Sequence, residues 1–311
     1  MDNKGAVAVV NEVRKAVIGK DVCIVKVMAA ILAGGHVLIE DIPGVGKTTM
    51  ANAFTNTMEL TEHRVQFTPD VMPADITGFS MYDAASGNFV YREGAAMCNL
   101  FLADEINRTS PKTQSALLQV MEEGKVTVDG EDHLVPNPFV VIATQNPIGS
   151  AGTQRLPMSQ LDRFMICISM GYPNIQDEIS IVRGKVEPYK VTPVISKSEL
   201  LRMKEEVKGL FIHDALYQYI GKLIQATRES DLVELGVSPR GTIAFTSMCK
   251  AMAYLKGREY VLPDDIAGIF TDCVAHRLIL SKKARISGIT EEQVCQNILE
   301  TVKKPVLSNK K

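Results

Sequence analysis

Residues 36–57, HVLIEDIPGVGKTTMANAFTNT, pass from an apolar run through a glycine-bearing turn into a helix-forming stretch. GVGKTT ends the pattern GxxxxGK[ST], which holds polyphosphate when a buried strand delivers it and a helix N-terminus follows. In that setting the glycines let backbone N–H groups approach phosphate oxygens. The lysine reaches the β and γ phosphates, and the hydroxyl joins a magnesium shell. Gly44, Gly46, Lys47 and Thr48 fill the last positions, with Pro43, Val45 and Thr49 completing the expected cradle. Asp41 stands where the pattern has its first glycine. Aspartate is among the few non-glycine residues that visit positive φ at modest cost. A loop of this kind commits the chain to α/β architecture.

The rest of the chain agrees. Between residues 36 and 170 the apolar runs HVLIE, RVQF, LFLAD, FVVIATQ and FMICIS alternate with helical stretches. Several are apolar on both faces, as strands of a helix-covered parallel sheet are. After Gly171-Tyr172-Pro173 helical periodicity takes over. SKSELLRMKEEV carries a capping box from Ser196 to Glu199, and LPDDIAGIF opens with proline and acids. The expected organisation is an α/β nucleotide-binding domain over residues 1–171 and an all-helical domain over 172–311, with SNKK frayed.

Two further runs add polar groups at strand ends. LFLADE delivers Asp104, suited to a magnesium shell, and Glu105, suited to orienting and polarising an attacking water. FVVIATQNP places Asn146 where an amide can reach a γ-phosphate, with Thr144 and Gln145 read as strand caps. LDRF sets Arg163 just before the fifth apolar run, and SPR sets Arg240 at a helix start. Each arginine alone is a surface ion-pair residue, and only a larger pattern raises it. VTVDGEDHLV alternates around an Asp-Gly turn and predicts a hairpin.

With these residues together the chain resembles an AAA+ ATPase, and more closely the MoxR family, from VIGK (Val17 to Lys20) to LPDDI (Leu262 to Ile266). RVQFTPDVMPADITG, residues 64–78, is similar to that family's signature after the second strand, and the family commonly carries an acid at the Asp41 position. The resemblance implies a P-loop NTPase fold followed by a helical lid, with ATP and Mg2+ as cofactors. Val17, Ile18 and Gly19 would line the adenine pocket. Asn146 would be the sensor-1 residue, Arg163 the arginine finger and Arg240 the sensor-2 arginine. Lys47, Asn146 and Arg240 would meet the γ-phosphate within one subunit, and Arg163 would come from the next. It further implies a ring, expected to be a hexamer, and insertions at residues 72–90 and at GKVTVDGEDHLVPNP. The implied work is remodelling, activation or metal insertion of client proteins, with partners carrying a von Willebrand factor A-type domain. AGTQRLPMSQLDRF departs from the family pattern at Gln154, Arg155 and Met158, leaving Arg155 and Arg108 as further candidates for reaching a neighbour's phosphates.

Composition narrows the alternatives. A net charge of -2 with 23% charged residues names no polyanionic partner. In GKVTVDGEDHLV only Lys125 and His133 are basic, against Asp129, Glu131 and Asp132, whereas a nucleic-acid motor calls for a basic stripe or stacking aromatics. A magnesium-chelatase-type motor subunit is the other alternative. The six cysteines lie far apart without a CxxC pair, and the N-terminus lacks a signal-peptide pattern. The expectation is a cytoplasmic protein with no membrane insertion.

Overall fold

The structure is a computed structural model that describes residues 2–41, 45–146, 156–173, 175–182 and 189–305. In chain order the strands are β1 (Val37–Glu40), β2 (Glu62–Gln66), β3 (Gly78–Asp83), β4 (Asn88–Glu93), β5 (Leu100–Asp104), β6 (Lys125–Val128), β7 (Glu131–Leu134), β8 (Val140–Gln145), β9 (Ile166–Ile168), β10 (Val233–Leu235) and β11 (Ile279–Leu280). The helices of the first half are α1 (Lys4–Ala16), α2 (Asp21–Ala33), α3 (Lys47–Thr57), α4 (Pro73–Thr77), α5 (Pro111–Glu123), α6 (Met158–Leu161) and α7 (Ile175–Val182). Those that follow are α8 (Lys197–Lys208), α9 (Asp214–Glu229), α10 (Pro239–Leu255), α11 (Pro263–Val274), α12 (Lys282–Ile286) and α13 (Glu291–Thr301).

The five apolar runs form one parallel sheet in the order β2-β5-β8-β1-β9. Strands β1, β5, β8 and β9 are apolar on both sides because both sides are covered, whereas the edge strand β2, EHRVQ, is half-buried or exposed along its length. Val37, Ile39, Leu100, Leu102, Val140 and Ile142 join a core with α1, α2 and α3. Leu38, Phe101, Ala103, Val141 and Ala143 join another with Leu117, Leu118 and Met121 of α5. Alternate residues of one strand thus serve opposite cores, as a period of two requires.

The C-terminal helices extend the first core. α8 and α10 pack on α2, and α11 packs on β9. Ser196 caps α8 through the predicted box with Glu199, and the Asp265 carboxylate accepts from Leu262 N at 2.9 Å where α11 begins. Proline at the first turn of α10 and α11 removes a donor that a helix start leaves unpaired anyway.

Both insertions are hairpins. β3 pairs with β4, and β6 with β7 around Asp129 (φ 51°) and Gly130 (φ 84°), the two left-handed residues that a type I′ turn needs. The Tyr91 and His133 rings stack at 3.7 Å and join the two hairpins. No helix among the described residues is long and apolar enough to cross a membrane.

Candidate nucleotide site

Parallel strands place all their C-terminal ends on one edge, and there the polar residues gather. Gln66 is in register with Asp104, and Glu40 with Gln145. From β1 the chain enters the phosphate loop and turns into α3 through Gly46 at φ 95°, a left-handed value that a side chain would strain. Lys47, buried at the first turn of α3, donates from Nζ to the Asp41 carbonyl at 3.0 Å. Burial lowers its pKa despite the attraction of Asp104, Asp41 and Glu105. Val45 and Thr48 are half-buried and Thr49 is exposed beside them, while Pro43 and Gly44 lie outside the described residues.

Asp41 does not use its tolerance of positive φ, since it is absent from the left-handed residues. Its buried carboxylate instead accepts from Met170 N at 2.7 Å, Gly171 N at 2.6 Å and Ser169 Oγ at 3.1 Å. Lys20 holds the same segment by its carbonyls, donating to Met170 O at 2.9 Å and Gly171 O at 2.7 Å. The departure from the general loop pattern is thus a tie between the loop and the chain leaving β9.

The two acids of LFLADE have different settings. Asp104 Oδ1 accepts from Thr144 Oγ1 at 2.7 Å, and Oδ2 from Arg64 at 2.8 Å. Thr144 also accepts from Glu105 N at 2.8 Å, so it positions both acids and is more than the strand cap expected of it. Glu105 takes a left-handed backbone (φ 57°), which turns it out of the strand line. Its Oε1 accepts from Asn146 Nδ2 at 2.9 Å, and its Oε2 from Gln66 Nε2 and Arg108, each at 2.8 Å. Burial opposes its charge, but the bonds from Arg108 and Asn146 outweigh burial and hold its pKa below the ordinary carboxyl value. Asn107 donates to the Asn146 carbonyl at 3.2 Å, and the buried Asn146 Oδ1 has no partner among the described residues.

Val17 is buried in the core and Ile18 is half-buried. Gly19 (φ 71°) lies so close to α7 that a Cβ would clash with the Asp177 carboxylate. Beside this turn a cavity of about 310 Å³ is lined by Ala16, Thr48, Thr49, Asn52 and Tyr189 among others.

The arginines are elsewhere. Arg163 precedes β9, where Met165 N donates to the carbonyl of His36, the residue before β1, so it lies at the opposite edge of the sheet. Arg163 Nε meets Glu122 Oε2 at 2.8 Å, and Arg240 bonds the other oxygen of Glu122. The length of β1, four residues or about 13 Å, separates this edge from the phosphate loop. This corrects the expectation that Arg240 meets its own subunit's γ-phosphate: it stands with Arg163. Arg155 lies outside the described residues. Sequence reasoning did not single out Arg64, Gln66, Asn107 or Glu122. For Gln66 the only signal was its place within RVQF, the run that precedes LFLADE in the chain.

A glycine loop entering a helix from a central strand, with acids and an amide on the flanking strand ends, defines a P-loop nucleotide-binding protein. The model for the ATPase family associated with various cellular activities (AAA) matches residues 36–166, and the AAA lid domain model matches residues 225–298. The chain is 45% identical to the uncharacterized protein YeaC of Bacillus subtilis, over 96% of this chain and 94% of that one. It is 37% identical to chaperone MoxR1 of Mycobacterium tuberculosis, over 94% and 81% respectively. It superposes on a crystal structure of a Cytophaga hutchinsonii protein with a TM-score of 0.90 at 36% identity, covering 98% of this chain and 96% of the other. The chain belongs to the MoxR family of AAA+ ATPases.

Proposed function

We propose that the protein hydrolyses ATP at a site completed by a second copy of itself, and uses the resulting motion to remodel client proteins. The observation that carries this reading is the separation of Lys47 and Glu105, on one sheet edge, from Arg163 and Arg240 on the other. Two arginines placed together suit developing phosphate charge, and one chain cannot fold them onto its own loop. A closed ring, a hexamer in the family's manner, lets every copy give arginines to one neighbour and receive them from the other.

Within a subunit, Gly46 and the first turn of α3 cradle phosphate oxygens, and Lys47 sets its charge against them. Thr48 and Asp104 offer a hydroxyl and a carboxylate, hard oxygen donors that suit Mg2+, which when bound would neutralise phosphate charge. Arg64 balances the Asp104 carboxylate. Glu105, ionised and aimed by Gln66, Arg108 and Asn146, accepts the proton of an attacking water. Val17, Ile18 and Gly19 edge the base, near the cavity beside Thr49.

The client reading rests on the chaperone name of the Mycobacterium tuberculosis relative. Metal insertion and a partner with a von Willebrand factor A-type domain are outputs carried by the family resemblance. The β6–β7 hairpin does not favour a nucleic-acid motor, since Lys125 is paired with Asp132 at 2.5 Å and His133 is stacked on Tyr91.

Mixed assemblies test the reading. Glu105→Gln should bind ATP and lose turnover by about 100-fold or more, and Arg163→Ala should lose it comparably. Mixed, the arginines of the first serve the intact sites of the second and activity returns. Mixtures as inactive as their parents would rule out action between subunits. Glu105→Gln held in ATP should also retain a client, and recovery of only its own copies would sink the remodelling half.

A further inference from the structure

Glu122 lies at the C-terminal end of α5, and both of its oxygens are taken by arginines from distant parts of the chain. An exposed ion pair adds little stability, so folding energy does not explain why two guanidiniums converge on one carboxylate. The choice of nitrogens is more telling. Arg163 spends only Nε on Glu122, and Arg240 only one terminal nitrogen. The remaining donors of each fork have no partner among the described residues, which leaves both terminal nitrogens of Arg163 available. One negative charge between two positive ones also leaves the group with a net positive charge, which attracts phosphate.

The backbone beneath the pair is braced independently. Arg277, buried, donates to Asp162 Oδ1 at 2.8 Å and to the carbonyls of Asp162, Phe164 and Met165, on either side of Arg163. Ser238, which caps α10 two residues before Arg240, donates to Asp162 Oδ2 at 2.8 Å. Asp162 thus joins the turn bearing Arg163 to the helix start bearing Arg240, and Glu122 joins their side chains. A cavity of about 410 Å³ opens over the group, lined by Glu122, Arg163, Arg240 and Arg277 among others.

We infer that Glu122 is a positioning residue that holds Arg163 and Arg240 side by side as a preformed phosphate clamp for the neighbouring subunit's ATP. The inference rests on the reading that these arginines act between subunits. It adds that the clamp exists before assembly and that an acid outside the nucleotide site sets its geometry. Glu122 itself touches no phosphate, because its charge repels one. The hydrogen bond from Arg163 and the charge of Arg240 lower its pKa, so it stays ionised at neutral pH.

The test compares Glu122→Ala and Glu122→Asp with the unaltered full chain. Glu122→Ala should lower kcat by about 10- to 100-fold, with KM for ATP and melting temperature nearly unchanged, because its own phosphate loop is intact. Glu122→Asp should recover part of the loss. Mixing Glu122→Ala with Glu105→Gln should restore turnover, since the latter supplies well-held arginines. Faster turnover in Glu122→Ala would overturn the proposal and make the carboxylate a competitor for the arginines. So would a loss that no mixture repairs while Arg163→Ala is repaired by the same partner. If neither mixture recovers, the reading of action between subunits fails first.

Discussion

At the scale of single residues, chemistry here is set by neighbours that sequence spacing does not reveal. Glu105 follows directly from LFLADE, but its donors Gln66 and Arg108 are brought to it by strand register and by one 3-10 turn, Ile106–Arg108. Single residues also govern the response to pH. His36, buried between α5 and β8, accepts from Val141 N through Nδ1 and meets the Met121 carbonyl through Nε2. It is therefore neutral with its proton on Nε2, and burial lowers its pKa from 6.5 to about 4. The unfolded chain then binds more protons between those values, so this contribution is whole above about pH 6.5 and is lost as pH falls toward 4. Its full size is about 3 kcal/mol, and the half-buried His276, whose pKa is also lowered by desolvation, adds in the same direction. Urea unfolding of His36→Gln between pH 7 and 4.5 should show a shallower fall than the parent chain. Parallel curves would remove His36 from the acid response.

At the scale of elements, the edge strand β2 (EHRVQ) is polar and largely exposed, but the other four sheet strands were legible because each faces two cores and so reads as an apolar run. α2 was not, for the same physical reason. DVCIVKVMAAILA is buried at Ile24, Val27 and every residue from Met28 to Leu32, leaving little polar stripe to mark a helix. β10 and β11, of three and two residues, are too short to show alternation. The tie from Asp41 to the end of β9 also belongs to this scale, since it links two elements remote in sequence. Asp41→Gly would restore the general loop pattern, yet should destabilise the protein by about 2 kcal/mol or more, because two backbone N–H groups lose a charged acceptor. Asp41→Asn should lose less. Thermal melting decides, and an unchanged midpoint for Asp41→Gly would mean the tie contributes nothing.

At the scale of the whole molecule, the position of Arg240 was illegible because it depends on how helices after residue 172 dock, and motif order carries no docking information. Those helices lie against α2 and β9, which sets Arg240 beside Arg163 rather than over its own loop. On the proposed reading, a subunit so built is half of two sites and the whole of none. ATP turnover per subunit should therefore rise with protein concentration until assembly saturates, read by steady-state rates beside light scattering. A rate per subunit that stays constant down to dilutions where scattering reports monomers would contradict it.

The stacked rings of Tyr91 and His133 give the molecule a mechanical property. They weld two hairpins of separate origin into one blade, with Phe89 and Leu134 exposed on its surface. One root of the blade runs through β4 into β5, which is followed directly by Glu105, and the other through β7 into β8, which is followed directly by Asn146. A load on the blade would bear on both roots, and the residues just past their far ends meet in a hydrogen bond of 2.9 Å. If Glu105 aims water as proposed, that contact is strung like the needle of a gauge whose dial is the outer surface.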